Sequence, residues 1–251
     1  MDAVIEHTLY DWFRDIWLPV AGAILIPVTI AFFTWWFGAS RLEKQKEMND
    51  LRDNLNFLVS VSLASINGLK FLHEKLCEVE KKEYTAIEAI ANKLANTDSI
   101  NSDDVCFGFL YDNVFKAIDE AKFAPCISYN KDIVVDIVRI KSLLNSTEQY
   151  INHRNSIVKS ISECENLNIK GQRIFSFILG DHNKIEEFIA DVCRITILLR
   201  LLIGNIVKIN QEIKGLNLEP QLYTDEQMKF MKIAEGIYTD YTNSKKELKN
   251  D

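Results

Sequence analysis

The chain has 251 residues, 47% of them hydrophobic and 26% charged, with a net charge of −7. That balance excludes both a disordered chain and a multi-span membrane protein. The scattered Lys and Arg residues disfavour nucleic-acid binding, whose affinity rests on clustered cations neutralising phosphates. Only 9 Gly and 4 Pro punctuate the sequence, and Pro19 and Pro27 both fall in its apolar N-terminal stretch, so long uninterrupted helices are expected after it.

In residues 1–15 and just beyond, Val4, Ile5, Leu9, Trp12, Phe13 and Ile16 recur at helical spacing, which predicts a short extracytoplasmic segment lying along a membrane interface. Residues 16–38 then read IWLPVAGAILIPVTIAFFTWWFG without an ionisable side chain. As a helix they span about 34 Å, enough for a hydrocarbon core of about 30 Å. Trp17 at one end, and Trp35 and Trp36 at the other, stand where indoles anchor at the interface. A cleaved signal peptide is disfavoured. Asp2, Glu6, Asp11 and Asp15 precede the segment against a single Arg14, and the apolar run exceeds the usual signal length. Arg41, Lys44, Lys46 and Arg52 follow it, so the bias of cations toward the cytoplasm places the C-terminal part inside and the N-terminus outside.

Residues 39–96 are predicted to form one long juxtamembrane helix. Met48, Leu51, Leu55, Leu58, Ser62, Ser65, Leu69, Leu72, Leu76 and Val79 follow one another in steps of three and four, the seam of a coiled coil or long bundle helix. Such a seam pairs either with the same seam in a second copy or with later helices of its own chain. Val59, Leu63, Ile66 and Phe71 widen the stripe and favour the second arrangement in the middle. Nearer the membrane the stripe is narrower, and Leu51, Leu55 and Leu58 are the candidates for self-association.

A polar stretch at 96–104 reads as a loop, and residues 104–251 as the remainder of the bundle. A short helix is expected to Phe123, a break at Ala124–Pro125, and a second long helix over 130–166. Gly171 and Gly180–Asn183 are expected to interrupt the chain before a strongly apolar core helix over 183–214. Arg194, Arg200 and Lys208 keep that helix from being a second membrane span. Thr224-x-x-Gln227 is a capping box that opens a last helix to Glu247.

Catalytic chemistry is not visible. His73-Glu74-Lys75 resembles the H-x-K core of phospholipase D-type enzymes, but the Asp that this pattern needs is replaced by Glu80. His73 and Cys77, four apart on a helix, supply two metal ligands where zinc needs four. His153-Arg154-Asn155 has residue types used by helical ribonucleases in the wrong order, and reads as a solvated helix face. No phosphate-cradling loop, nucleophile elbow or zinc-protease motif appears. Five widely spaced cysteines give neither a disulfide framework nor a zinc pattern. No catalytic, cofactor-binding or metal-binding residue is therefore named.

Arg194 and Arg200 are the informative polar residues. Each either pairs with an acid such as Glu186, Glu187 or Asp191, or faces a cleft and contacts an anion or partner. The expectation is an all-α protein: one N-terminal transmembrane helix, then a cytosolic bundle of long helices. Its partners are the lipid bilayer, further copies of itself and a cytosolic protein or ligand. The Asn-, Ile- and Lys-rich character suggests a bacterial inner-membrane protein. An oligomerising antiphage or exclusion effector, triggered through its cytosolic domain, fits this best. A passive scaffold or anchor is the alternative, and a cryptic nuclease or hydrolase a third.

Overall fold

The computed structural model describes residues 18–93, 111, 113–213, 216–219 and 223–247, the side chains of 18–25, 86, 89–93, 167, 168, 178 and 181–183 apart. Residues 1–17, Trp17 among them, and the whole of 94–110, with the polar stretch 96–104, lie outside them. Among the described residues the chain is all helical: α1 (Leu18–Lys93), α2 (Asp132–Ser162), α3 (Leu167–Glu212) and α4 (Asp225–Glu247). Two 3-10 helices, Val114–Ala117 and Glu120–Ser128, stand between α1 and α2. The chain divides into two units, Met1–Leu51 and Arg52–Asp251.

The second unit is built on heptad registers. In α1 every seam position from Leu51 to Val79 is buried, the two serines Ser62 and Ser65 included. Ser62 satisfies its hydroxyl by donating to the Leu58 carbonyl at 2.7 Å, and Ser65 donates to Asn113 Oδ1 at 3.0 Å. Val59 and Ile66 widen the stripe as expected, whereas Phe71 is 55% exposed and lies off it. In α2 the same alternation runs through Ile133, Ile137, Ile140, Leu144, Thr147, Ile151, Arg154 and Ile161, all buried. Steps of three and four keep one face of a helix toward its neighbours, so these stripes meet in one core.

Helix α3 is the central element. From Ile185 to Ile209 it buries Ile189, Val192, Cys193, Ile195, Leu199, Leu202, Ile203 and Ile206 on several sides. It begins earlier than the glycines suggest: Gly171 and Gly180 lie inside it. Each Gly costs a helix about 1 kcal/mol relative to Ala. Burial of Ile174 and Phe177 between them offsets that, at about 1.5–3 kcal/mol per side chain. Outside the adjoining turns of the helix itself, nothing lies within 4 Å of a Cβ built on either glycine, so neither is required for space.

The region before α2 also departs from expectation. Instead of a short helix and a break at Pro125, two 3-10 helices form, and Pro125 lies inside the second. Asn113 Oδ1 accepts from the Phe115 amide at 2.9 Å, and Asp119 Oδ1 from the Ala121 amide at 3.1 Å. Side chains that cap this well start new turns rather than continue old ones, so two caps six residues apart divide the segment. Helix α4 opens on its capping box. The Thr224 amide donates to Gln227 Oε1 at 2.9 Å, and the Gln227 amide donates to Thr224 Oγ1 at 3.2 Å.

Candidate functional site

In the first unit, residues 26–37 of α1 present a largely apolar surface on every side. All twelve residues from Ile26 to Phe37 are exposed, Trp35 by 66%, Trp36 by 58% and Phe37 by 60%. Among the described residues, the aromatic rings here contact one another along the helix, as where the Phe33 and Phe37 rings stack at 6.2 Å. Thr34 donates its hydroxyl to the Ile30 carbonyl at 2.7 Å, so its polar atom is satisfied within the helix. Hydropathy alone would not locate a span. Among the described residues α1 is the one helix long and apolar enough to cross a membrane, but the apolar stretch that qualifies within Ile26–Thr85 is 44% buried inside the protein. Exposure separates the two parts. An apolar face that protein does not cover must find another apolar medium or stay in water at a cost.

The seam candidates fall elsewhere. Leu55 and Leu58 are fully buried and Leu51 is 8% exposed within the single chain.

The most unusual polar feature of the second unit is an ion pair that sequence reasoning missed. Arg154 of α2 and Glu83 of α1 are both wholly buried and hydrogen-bonded to each other through Nη2 and Oε1. The Arg154 guanidinium also lies over the Phe177 ring of α3 at 4.8 Å from its centroid, a cation–π contact. Arg154 is thus not on a solvated face with His153 and Asn155: His153 is exposed and Arg154 points inward. The signal was present in the spacing. Glu83 is the step of four after Val79 in the α1 seam, and Arg154 the step of three after Ile151 in the α2 seam. A charge in a core register requires a countercharge in the register it meets. Above this pair, Ile161, Ile174 and Phe177 form a satellite core with Ile87, Ile157 and Val158. An open groove crosses it, edged by Ser160, Gln172, Arg173 and Ser176, and Arg173 donates to the Ser160 carbonyl at 3.4 Å.

Arg194 and Arg200 are not brought together. Arg200 pairs with Glu235 of α4, both about half exposed. Arg194 lies half-buried near Asp191, three residues before it in α3. Burial raises the Asp191 carboxyl above its usual range, and the Arg194 charge opposes that rise. Arg200 is thus paired with an acid of another helix, whereas Arg194 only lies near the charge of Asp191.

His73 and Cys77 do meet, with Sγ 3.7 Å from Nε2. Burial lowers the His73 imidazole and raises the Cys77 thiol. Cys193 is near enough to sense Cys77, but burial first, and then that neighbour, pushes its thiol up to about 12. Burial likewise pushes Cys126 up to about 11. Thiols held protonated at neutral pH are poor nucleophiles and ligands. Among the described residues no three His, Cys, Asp or Glu side chains gather as a metal site would need. Comparison with known protein families, with curated proteins and with solved structures finds no match to this chain.

Proposed function

We propose that the chain is a single-pass membrane protein, anchored by the first part of α1, which holds a helical interaction module at the cytoplasmic face. The observation that carries this reading is that the stretch from Ile26 to Phe37, apolar but for Thr29 and Thr34, is exposed at every residue. A core helix of a soluble protein hides such residues, and a solvated helix lacks them. In a bilayer Ile26, Val28, Ile30, Phe32, Phe33 and Phe37 together favour insertion by roughly 2–4 kcal/mol at the helix centre. The cations Arg41, Lys44, Lys46 and Arg52 just beyond support the cytoplasmic placement of the second unit. We read the second unit as working by association rather than by catalysis. The sharper form of the reading is an effector that acts on the membrane when a cytoplasmic partner engages the bundle.

The test uses bacterial cells expressing the full chain and its Ile30→Arg/Phe33→Arg variant. Resistance of the full chain to alkaline carbonate extraction, lost in the variant, supports the anchor. Depolarisation by the full chain alone makes the anchor the working part; intact potential leaves a tether. Extraction of both chains alike overturns the reading.

A further inference from the structure

Helix α4 is attached unlike the others. Its buried residues are Gln227, Phe230, Met231 and Ala234, all within the first ten of its 23 residues. From Glu235 onward it has no buried side chain: Ile237, Tyr238 and Tyr241 are half-buried, and the charge pairs are ones that water reaches, Glu235 to Arg200 and Lys245 Nζ to Glu187 Oε1 at 3.9 Å. Helix α2, by contrast, is buried along its length from Ile133 to Ile161. At its N-terminal end α4 is clasped to α1. Gln227 Nε2 donates to the Leu63 carbonyl at 3.0 Å, and Lys70 Nζ meets Glu226 Oε2 at 2.8 Å. Beyond these polar ties along both helices, the Phe230 ring lies against the His73 ring, with centroids 5.5 Å apart.

We propose that α4 is a latch that lifts from the bundle as one piece while α1, α2 and α3 stay packed, and that acidification favours the lifted form. A segment with few buried apolar contacts, joined to a core with many, opens at lower free energy than that core. Lifting α4 uncovers a trough on α1 and α3 whose α1 side carries His73, a surface the closed protein withholds from partners. The inference stands on the second unit alone and does not depend on the membrane reading.

The acid response follows from His73. On its own helix it faces Glu74, which favours its charged form, Cys77, and Lys70 one turn earlier. From α4 it meets the apolar Phe230, with Glu226 engaged by Lys70 and Lys229 beside that acid. From α3 Cys193 senses Cys77, the neighbour of His73. At the other end of α4, Glu187 and Asp191 face Lys245. Burial outweighs Glu74, so His73 under Phe230 stays neutral below its ordinary value of 6.5, whereas the uncovered ring protonates there. The docked form therefore keeps its full advantage above that value and loses it as the pH falls below.

Hydrogen exchange of the full chain in detergent micelles tests this, with rates corrected for the intrinsic effect of pH. At about pH 7.5, amides of 228–247 are expected to open at least about tenfold more often than core amides of α2 and α3. At about pH 5.5 that gap widens by up to about tenfold, the limit set by one unit of His protonation. His73→Gln abolishes the widening. Phe230→Ala raises α4 opening by about a hundredfold and leaves α2 and α3 protected. Exchange of α4 in concert with α2 and α3 overturns the latch. A pH response that persists in His73→Gln overturns its acid control.

Discussion

Helix α1 contains two apolar regions with opposite fates. From Ile26 to Phe37 the apolar residues occupy every side of the helix and all are exposed. From Leu51 to Val79 they occupy a stripe in steps of three and four, and the stripe is buried. The lesson is that periodicity, more than apolar content, tells which solvent a helix requires. One stripe needs one protein neighbour or core; an all-round apolar surface needs an apolar surrounding. Between them, 41–47 are exposed and mostly charged or polar, as befits a helix surface that water covers.

The strongest way to break this comparison is to put charge in the first region. Ile30→Arg with Phe33→Arg costs insertion about 6 kcal/mol, about 3 for each arginine at the helix centre. The variant is expected to leave the membrane pellet, while circular dichroism melting of the second unit stays within a few degrees. Retention equal to the unaltered chain would sink the bilayer assignment.

Next in size is the buried pair. Arg154→Met alone leaves Glu83 charged and buried, and is expected to destabilise the second unit by about 3–5 kcal/mol in urea unfolding. Adding Glu83→Leu is expected to recover most or all of that loss, because two apolar side chains replace two desolvated charges. A double variant as unstable as the single one would mean that the pair supplies net stability rather than mutual compensation.

The same residue type then sharpens the contrast between regions. Leu69, fully buried, is expected to cost about 2–5 kcal/mol when changed to Ala. Leu42, 69% exposed, is expected to cost less than about 0.5 kcal/mol for the same change. Equal effects in a denaturant titration would contradict the division of α1. Smallest of the larger set is Gln227→Ala, which removes half of the capping box and the bond to Leu63, at about 1–2 kcal/mol. Its destabilisation is expected to fall on α4 amides before any others.

Much of the fold was legible because it is periodic. The α1 seam, the extent of α2 and the capped start of α4 each follow from a local repeat or a short-range bond, and both operate within a few residues. Where the sequence misled, the deciding energy came from elsewhere in the chain. Gly171 and Gly180 are weak helix residues, but their helix continues because Ile174 and Phe177 are buried on distant partners. Around Pro125, local caps outcompeted the helical pattern instead.

The candidate site was legible only in part. Arg194 and Arg200 stood out as charges on an apolar helix, and the pairing of Arg200 with Glu235 depended on α3 and α4 lying side by side. Glu83 and Arg154 stood in two separate registers, unremarkable until the registers met.

By itself, then, the sequence determined that this is a helical protein with an apolar N-terminal helix and heptad stripes that must be covered, since hydropathy and period are properties of the chain. Only tertiary structure decided that the α1 seam is covered by its own chain, that a glutamate and an arginine share its core, and that α4 is held by one short apolar patch. Those are facts of contact between residues up to 164 apart, as Gln227 and Leu63 are. No local rule reaches that far, because the energy of a buried charge or a covered ring depends on what lies against it.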